Sequence, residues 1–347
     1  MKIVHVICYS GIGGAEIYAL NLSTEANKAG HDVSFILSEE GALSKRLKNK
    51  KINYDLIPME SSFNPFKVFH SIFALRKYFL KEKIDIIHTH MLREHSLSTG
   101  AKFLGAKVKV VRTFHRLDQF NWKMRPLMWF YRWQTDAFIA VSEFVREILA
   151  ENGIKDKVTV IYNGAPKVMA KKHEKAIGFL GRVSAEKGIL KFIKENLNLF
   201  RGKLSLKVAG EGEELPVLKT LVKEEELNVE ILGEITDLKS FFEKIEVIVL
   251  PTEGESTLPF AIIEAFSCGV PVVTFDIKPL SDLIKPNMGV IVEAGNFEEM
   301  GTSAGKLVEN PGQVAEMSRA VQSTYNEKYT ADKMWQRTEN LYERCLD

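Results

Sequence analysis

The sequence predicts an α/β protein of two doubly wound domains facing each other across a central cleft. Three observations carry this. Short apolar runs alternate with longer amphipathic stretches along the whole chain. Several of the runs are continuously apolar, as strands buried on both faces of a parallel sheet must be. The series then restarts after a polar, Lys-rich stretch at residues 167–175. A length of 347 residues suits two domains.

Taken in order, the first domain (1–165) has strand signals at 3–8, 32–37, 84–88, 109–113, 137–141 and 158–161. Helical stretches such as 15–29 and 66–83 lie between them. Residues 166–175 read as a linker. The second domain (176–328) has strand signals at 177–180, 204–209, 229–232, 247–250, 270–275 and 290–292. Residues 329–347 close the chain as a helix. Its docking place is left open, a return to the first domain being one choice.

Apolar residues at 45% and charged residues at 27% exclude disorder and fibrous repeats. No run reaches the ~18 apolar residues of a membrane span. The N-terminus enters a strand directly, so neither a signal peptide nor a bilayer crossing is expected. Cys8, Cys268 and Cys345 are scattered and odd in number, which argues against a disulfide framework or a cysteine metal site and for a reducing cytoplasm. Residues 1–165 hold 24 Lys and Arg against 16 Asp and Glu, and the remainder 23 against 29, so charges of +8 and −6 make up the net +2. A basic half can serve an anionic surface or solubility alone.

Ligands of doubly wound sheets bind beyond the carboxyl ends of the strands, so the residues after each strand are the informative ones. Ser10-Gly11-Ile12-Gly13-Gly14-Ala15-Glu16 follows strand 1. Its glycines permit close approach, and the free N–H groups of a helix start favour an anion; a tight structural turn is the alternative. Glu16 stands where a dinucleotide fingerprint needs its third glycine, which disfavours a nicotinamide enzyme. Arg182 and Lys187, five residues apart past a strand end, can grip a diphosphate from one side, or belong to a solvated loop. Residues 249–272 read as strand, polar loop, helix, glycine cap at Gly269 and strand. Within that helix Glu264 interrupts an apolar run, and a buried carboxylate needs a partner: a ligand hydroxyl or a structural ion pair.

Together these segments resemble the retaining, nucleotide-sugar-dependent glycosyltransferases of the GT-B fold, in particular glycosyltransferase family four. Gly13-Gly14-Ala15-Glu16 is similar to that family's glycine loop, and Ile86-Ile87-His88-Thr89-His90 to its fourth-strand motif. Val111-Arg112-Thr113-Phe114-His115 is similar to the strand ending in the active-site histidine. Ala140-Val141-Ser142, Ile161-Tyr162-Asn163-Gly164, Gly210-Glu211-Gly212 and Gly233-Glu234-Ile235-Thr236-Asp237 match further loops in order.

The resemblance implies transfer of a sugar from a nucleoside diphosphate donor with retention of configuration, on two Rossmann-like domains. It gives Arg182 and Lys187 the departing diphosphate, helped by amides near Leu258 and Phe260, since Pro259 has no N–H. Ser256 and Thr257 lie in the same donor-binding loop. Glu264 is implied to bind the ribose hydroxyls, Glu255 the donor sugar, and His115 that sugar from the facing domain. Gly13 and Gly14 would approach the phosphates and the acceptor. Fixed cations would take the place of a metal, in keeping with the lack of an Asp-x-Asp motif, and no cofactor beyond the donor is expected. The family places seven residues between its two glutamates, whereas Glu255 and Glu264 have eight. Either Thr257 is an extra loop residue and Glu255 keeps the role, or Ser256 or Glu253 takes it. A loop absorbs an insertion readily, which favours Glu255.

His88 and His90 are expected to face opposite sides of their sheet and His5 to be a core histidine, so no metal site is expected. Two aromatic, basic stretches, 63–83 and 120–133, suit a membrane interface or a core-packed arrangement with solvated cations. No nucleic-acid motif accompanies them. The expected protein is a cytoplasmic glycosyltransferase, peripheral at the inner face of the cell membrane, that acts on a glycan or lipid-linked acceptor in surface polysaccharide or glycolipid synthesis. Its rivals are a catalytically weak nucleotide-sugar-binding homologue and an epimerase or phosphorylase of the same fold.

Overall fold

The structure, a computed structural model, describes residues 1–59, 64–115, 125–170, 174–202, 204–255 and 257–347. The chain divides into two compact units, Met1–Gly164 with Ala331–Asp347, and Ala165–Thr330. Each is a parallel sheet with helices on both faces.

In the first unit the strands are β1 (Lys2–Ile7), β2 (Asp32–Leu37), β3 (Asn53–Leu56), β4 (Ile86–Thr89), β5 (Lys109–Phe114), β6 (Ala137–Ala140) and β7 (Val158–Val160). Their order is β3-β2-β1-β4-β5-β6-β7. β1 is buried along nearly its whole length because alternate residues serve opposite faces. Val4 and Val6 pack under the helix Pro65–Glu82, through Leu75 and Phe79. Ile7 packs on the other face with Phe35, Ala19 and Leu20. β3 has no apolar run to announce it. It is an edge strand paired only with β2 and largely exposed, so Asn53-Tyr54-Asp55-Leu56 has little to bury.

The closing helix Ala331–Leu346 settles what the sequence left open. It lies on the helix Gly14–Lys28 of the first unit and buries Met334, Trp335, Thr338, Leu341 and Tyr342, a stripe at helical spacing. His31 Nε2 meets Glu339 Oε1 at 2.7 Å, so the helix also binds through a polar contact.

The second unit has β8 (Ala176–Leu180), β9 (Ser205–Ala209), β10 (Val229–Gly233), β11 (Val247–Leu250), β12 (Val272–Phe275) and β13 (Gly289–Val292), in the order β10-β9-β8-β11-β12-β13. The order reverses between β8 and β11. Connections leave these neighbours in opposite directions, which opens a crevice at their carboxyl ends. The stretch read as a linker is tied to this unit, since Val168 N–H donates to Ser267 Oγ at 3.2 Å. All three cysteines are free. Among the described residues, no helix is long and apolar enough to cross a membrane.

Candidate active site

At the switch point of the second unit, three loops cross at backbone contact. The loop after β8 runs through Arg182 into a short 3-10 turn at Ala185–Lys187. Val183 N–H donates to Glu211 O at 2.9 Å, and Glu214 N–H to Val183 O at 3.1 Å, which binds this loop to the one after β9. Gly210 (φ 139°) sits so near that a Cβ would stand 1.8 Å from Gly181 O. At Gly188 (φ 70°) a Cβ would stand 2.1 Å from Pro251 O, in the loop after β11. Both positions combine a left-handed backbone with no room for a side chain.

These contacts set the charged groups. Lys187 Nζ forms an ion pair with Glu255 Oε1, both largely covered. Arg182 is exposed and has no ion-pair partner among the described residues. Glu253 points elsewhere, to Lys191 at 3.9 Å on the surface. Of the two carboxylates left open by the spacing, Glu255 is therefore the one beside the candidate diphosphate cation. Ser256 lies outside the described residues, and Thr257 is half-buried. Leu258 and Phe260 bury their side chains, so only their backbones can serve a ligand. Phe260 opens the helix Phe260–Cys268, where the first amides have no intrahelical acceptor and favour an anion. Glu264, one turn in, is half-buried, and the helix ends on Gly269 at φ 80°.

One residue of this site was missed. Thr252 is fully buried, its Oγ1 3.1 Å from Glu186 O and 3.2 Å from Gly254 O, and so it clasps the Arg182–Lys187 loop to the Glu255 loop. A threonine directly after a buried strand and a proline was the available signal.

In the first unit the glycine loop differs from expectation. Gly13 N–H is not free: it donates to Glu16 Oε2 at 2.8 Å in a capping box. The carboxylate that stands in place of a third glycine thus caps its own helix, and its burial raises its pKa. Gly14 is exposed, with nothing near its missing side chain.

His115 follows β5 directly. Its Nε2 lies 3.1 Å from His90 Nδ1, and Tyr18 packs edge-on at 4.9 Å. Burial, with the charge of Arg112, lowers its pKa to about 3, so it is neutral at physiological pH. The expectation for His88 and His90 was wrong. Residues two apart on a strand share a face, and these rings stack 4.6 Å apart. The register pairs His5 with His88, so one face of β1, β4 and β5 gathers His5, His88, His90 and His115. The signal was there to read: histidines at period two at the ends of neighbouring strands. Two tyrosines, Tyr18 and Tyr342, cover this face.

Two parallel α/β units in one chain, the second with cations, a carboxylate and a helix start at its switch point, define a protein of the GT-B class. The glycosyltransferase of Rickettsia africae ESF-5 shares the fold with a TM-score of 0.84 at 19% identity, over 100% of this chain and 98% of that one. Anabaena Alr3699/HepE in complex with UDP-glucose does so with a TM-score of 0.85 at 17% identity, over 99% and 100%. Residues 12–166 match Glycosyltransferase Family 4, and residues 174–310 match Glycosyl transferases group 1. A UDP-Gal:alpha-D-GlcNAc-diphosphoundecaprenol alpha-1,3-galactosyltransferase of Escherichia coli is 26% identical over 86% of this chain and 85% of its own length. The chain belongs to glycosyltransferase family four of the GT-B fold, and it is a glycosyltransferase.

Proposed function

We propose that the enzyme moves a sugar from a nucleoside diphosphate donor to a glycan or lipid-linked acceptor, with retention of anomeric configuration, in the synthesis of a surface polysaccharide or glycolipid. One observation carries the reading. Arg182, Lys187, Glu255 and the start of the helix Phe260–Cys268 converge on the switch point of one sheet, where a diphosphate would meet two cations and free amides. The UDP-glucose bound to Anabaena HepE and the diphosphoundecaprenol acceptor of the Escherichia coli relative support the donor and acceptor classes.

In this reading Arg182 and Lys187 neutralise charge as the diphosphate departs, and the amides near Leu258 and Phe260 add to them. Glu264 holds the ribose hydroxyls. Glu255, paired with Lys187 in the free protein, exchanges that cation for donor sugar hydroxyls once the diphosphate takes Lys187. His115 of the first unit contacts the sugar as a neutral imidazole. Gly13 and Gly14 leave room for phosphate or acceptor.

An anionic lipid surface is the partner proposed for the helix Pro65–Glu82. Phe66, Phe69 and Phe73 are 83%, 57% and 55% exposed along one stripe, with Lys67, Lys77 and Lys81 beside them.

The decisive experiment is a thermal-shift panel of nucleoside diphosphates and nucleotide sugars, followed by an acceptor-dependent nucleotide-release assay. A ligand at ~100 times its Kd adds about 2.7 kcal/mol. Release should persist in EDTA, and the product anomer should match the donor. No stabilisation by any nucleotide, together with no release, would overturn the reading.

A further inference from the structure

Three imidazoles of the first unit form one hydrogen-bonded chain. His5 Nδ1 lies 2.9 Å from His90 Nε2, and His90 Nδ1 lies 3.1 Å from His115 Nε2. The rings lie edge to edge with nearly parallel planes, His5 and His90 at 20° with centroids 5.2 Å apart, His90 and His115 at 29° with centroids 5.4 Å apart. His88 stands beside the chain without joining it. Its Nδ1 meets the Tyr342 hydroxyl at 2.6 Å and its Nε2 meets Thr113 Oγ1 at 2.7 Å. Ligand nitrogens of His5, His88 and His90 fall within 4.8 Å of one another, a spacing that could suggest a metal. Both nitrogens of His88 and His90 are already committed to these hydrogen bonds, so the cluster is better explained by its own protons.

The proton count restricts the chain sharply. Burial keeps His5, His90 and His115 neutral, so each ring carries one N–H. Each N···N link holds one proton. Both links must therefore run the same way, since opposed links would leave His90 with two protons or none. If protons point from His5 toward His115, then His115 accepts at Nε2 and presents Nδ1 as a donor. In the reverse direction Nδ1 becomes an acceptor. The other titratable or charged groups facing the chain are Tyr18, whose ring lies 5.8 Å from His90, His88, Tyr342 and Arg112. None of them replaces either link.

We infer that His90 and His5 are positioning residues for His115: their imidazole chain ties the tautomer of His115 to the proton order of all three rings, and that order decides whether Nδ1 donates or accepts. The functional consequence rests on the proposed contact between His115 and the donor sugar. The chain itself can be tested without substrate.

The test uses the full-length protein with ¹⁵N-labelled histidine, with His115→Ala to assign its resonances. Scalar couplings across the His5–His90 and His90–His115 links are expected, with the same tautomer at all three rings. Missing couplings, or a His115 tautomer that differs from those of His90 and His5, would overturn the inference. His90→Leu should uncouple the His115 tautomer from that of His5 and lower kcat at least about tenfold, with the donor KM unchanged. His90→Asn puts an amide group where Nδ1 stood, so His115 Nε2 keeps a partner, and it should restore most of kcat. If His90→Leu does not fold, His5→Phe breaks the far link and should shift the His115 tautomer balance. An unchanged His115 tautomer balance with unchanged kcat in a folded His90→Leu or His5→Phe protein would sink the idea. Intact couplings in a protein that transfers no sugar would count against the proposed function and leave the chain standing.

Discussion

Arg182 and Lys187 enter the free protein in different states, and this separates their expected effects. Arg182 is exposed without a partner among the described residues, whereas Lys187 already holds Glu255. Arg182→Ala or Lys187→Ala should each lower kcat/KM about a hundred- to thousandfold, as loss of a preorganised electrostatic group does. Urea midpoints should stay near wild type. Full activity in both variants would remove them from the site. Glu255→Gln frees Lys187 for phosphate, so nucleoside diphosphate should bind a few times more tightly, roughly 1 kcal/mol for a partly covered pair, while turnover falls. Glu253→Gln, whose partner Lys191 is exposed, serves as the control and should change neither quantity. Calorimetric titration with nucleoside diphosphate reads both variants. The two cations were legible in the sequence as charges after a strand, and Glu264 as a carboxylate interrupting an apolar helix. That Glu255 sits on Lys187 was not, because the two are 68 residues apart and meet only where β8 and β11 become neighbours.

Loops and helices act as units at the next scale. The switch-point loops are held by backbone contact, so a methyl group should be enough to force them apart. Gly188→Ala must adopt φ 70° and clear Pro251 O, and it should lose at least about 2 kcal/mol in urea unfolding along with nucleotide affinity. Unchanged stability would mean the loops can separate freely. The helix Pro65–Glu82 is buried on one side only. Its buried residues Ser71, Leu75 and Phe79 face the sheet, which leaves the Phe66, Phe69 and Phe73 stripe outside. Attraction of each nearby Lys or Arg to anionic lipid is worth about 1 kcal/mol and is screened by salt. The protein should therefore co-sediment with anionic vesicles at low salt and less so at high salt, and Phe69→Ser with Phe73→Ser should weaken the salt-resistant part. Equal recovery in the supernatant with anionic and neutral lipid would discard the membrane proposal. Of the second aromatic stretch, residues 116–124 lie outside the description, but Trp129 and Trp133 are exposed while Tyr131 is buried. Helical periodicity shows such stripes, but it cannot say which one the sheet takes.

Across the whole molecule, buried histidines couple the fold to acid. His5 and His115 are pushed down to about 3, and His88, His90 and His95 lie well below their ordinary value, all chiefly by burial. An unfolded imidazole titrates near 6.5, so below that pH the unfolded chain binds protons that the fold refuses. Stability from His5 and His115 is complete above about pH 6.5 and falls as pH drops toward about 3, by roughly 1.4 kcal/mol per pH unit for each, and His88, His90 and His95 act in the same direction. Glu94, raised to about 7 by burial, works the other way: its contribution is complete below its unfolded value and lost as pH rises through about 7. Urea midpoints should accordingly fall steeply between pH 6 and pH 4, and His5→Phe should remove about one proton from the slope. A flat profile over that range would contradict the neutral histidine face.

The two parallel α/β series, the ends of most strands, the helix capped at Gly269 and the charged residues after β8 and β11 are all legible in the order of residues along the chain. All of these are local: an apolar run, a period or a breaker decides them over a few residues. Tertiary structure alone decided the edge strand β3, which buries too little to leave a pattern, and the docking of Ala331–Leu346 on Gly14–Lys28. It also decided the Lys187–Glu255 pair and the chain from His5 through His90 to His115. Those contacts join segments that meet because β1 lies between β2 and β4, and β8 between β9 and β11. Strand order is set by the summed packing of whole helices on whole sheets, and no single stretch of residues encodes it.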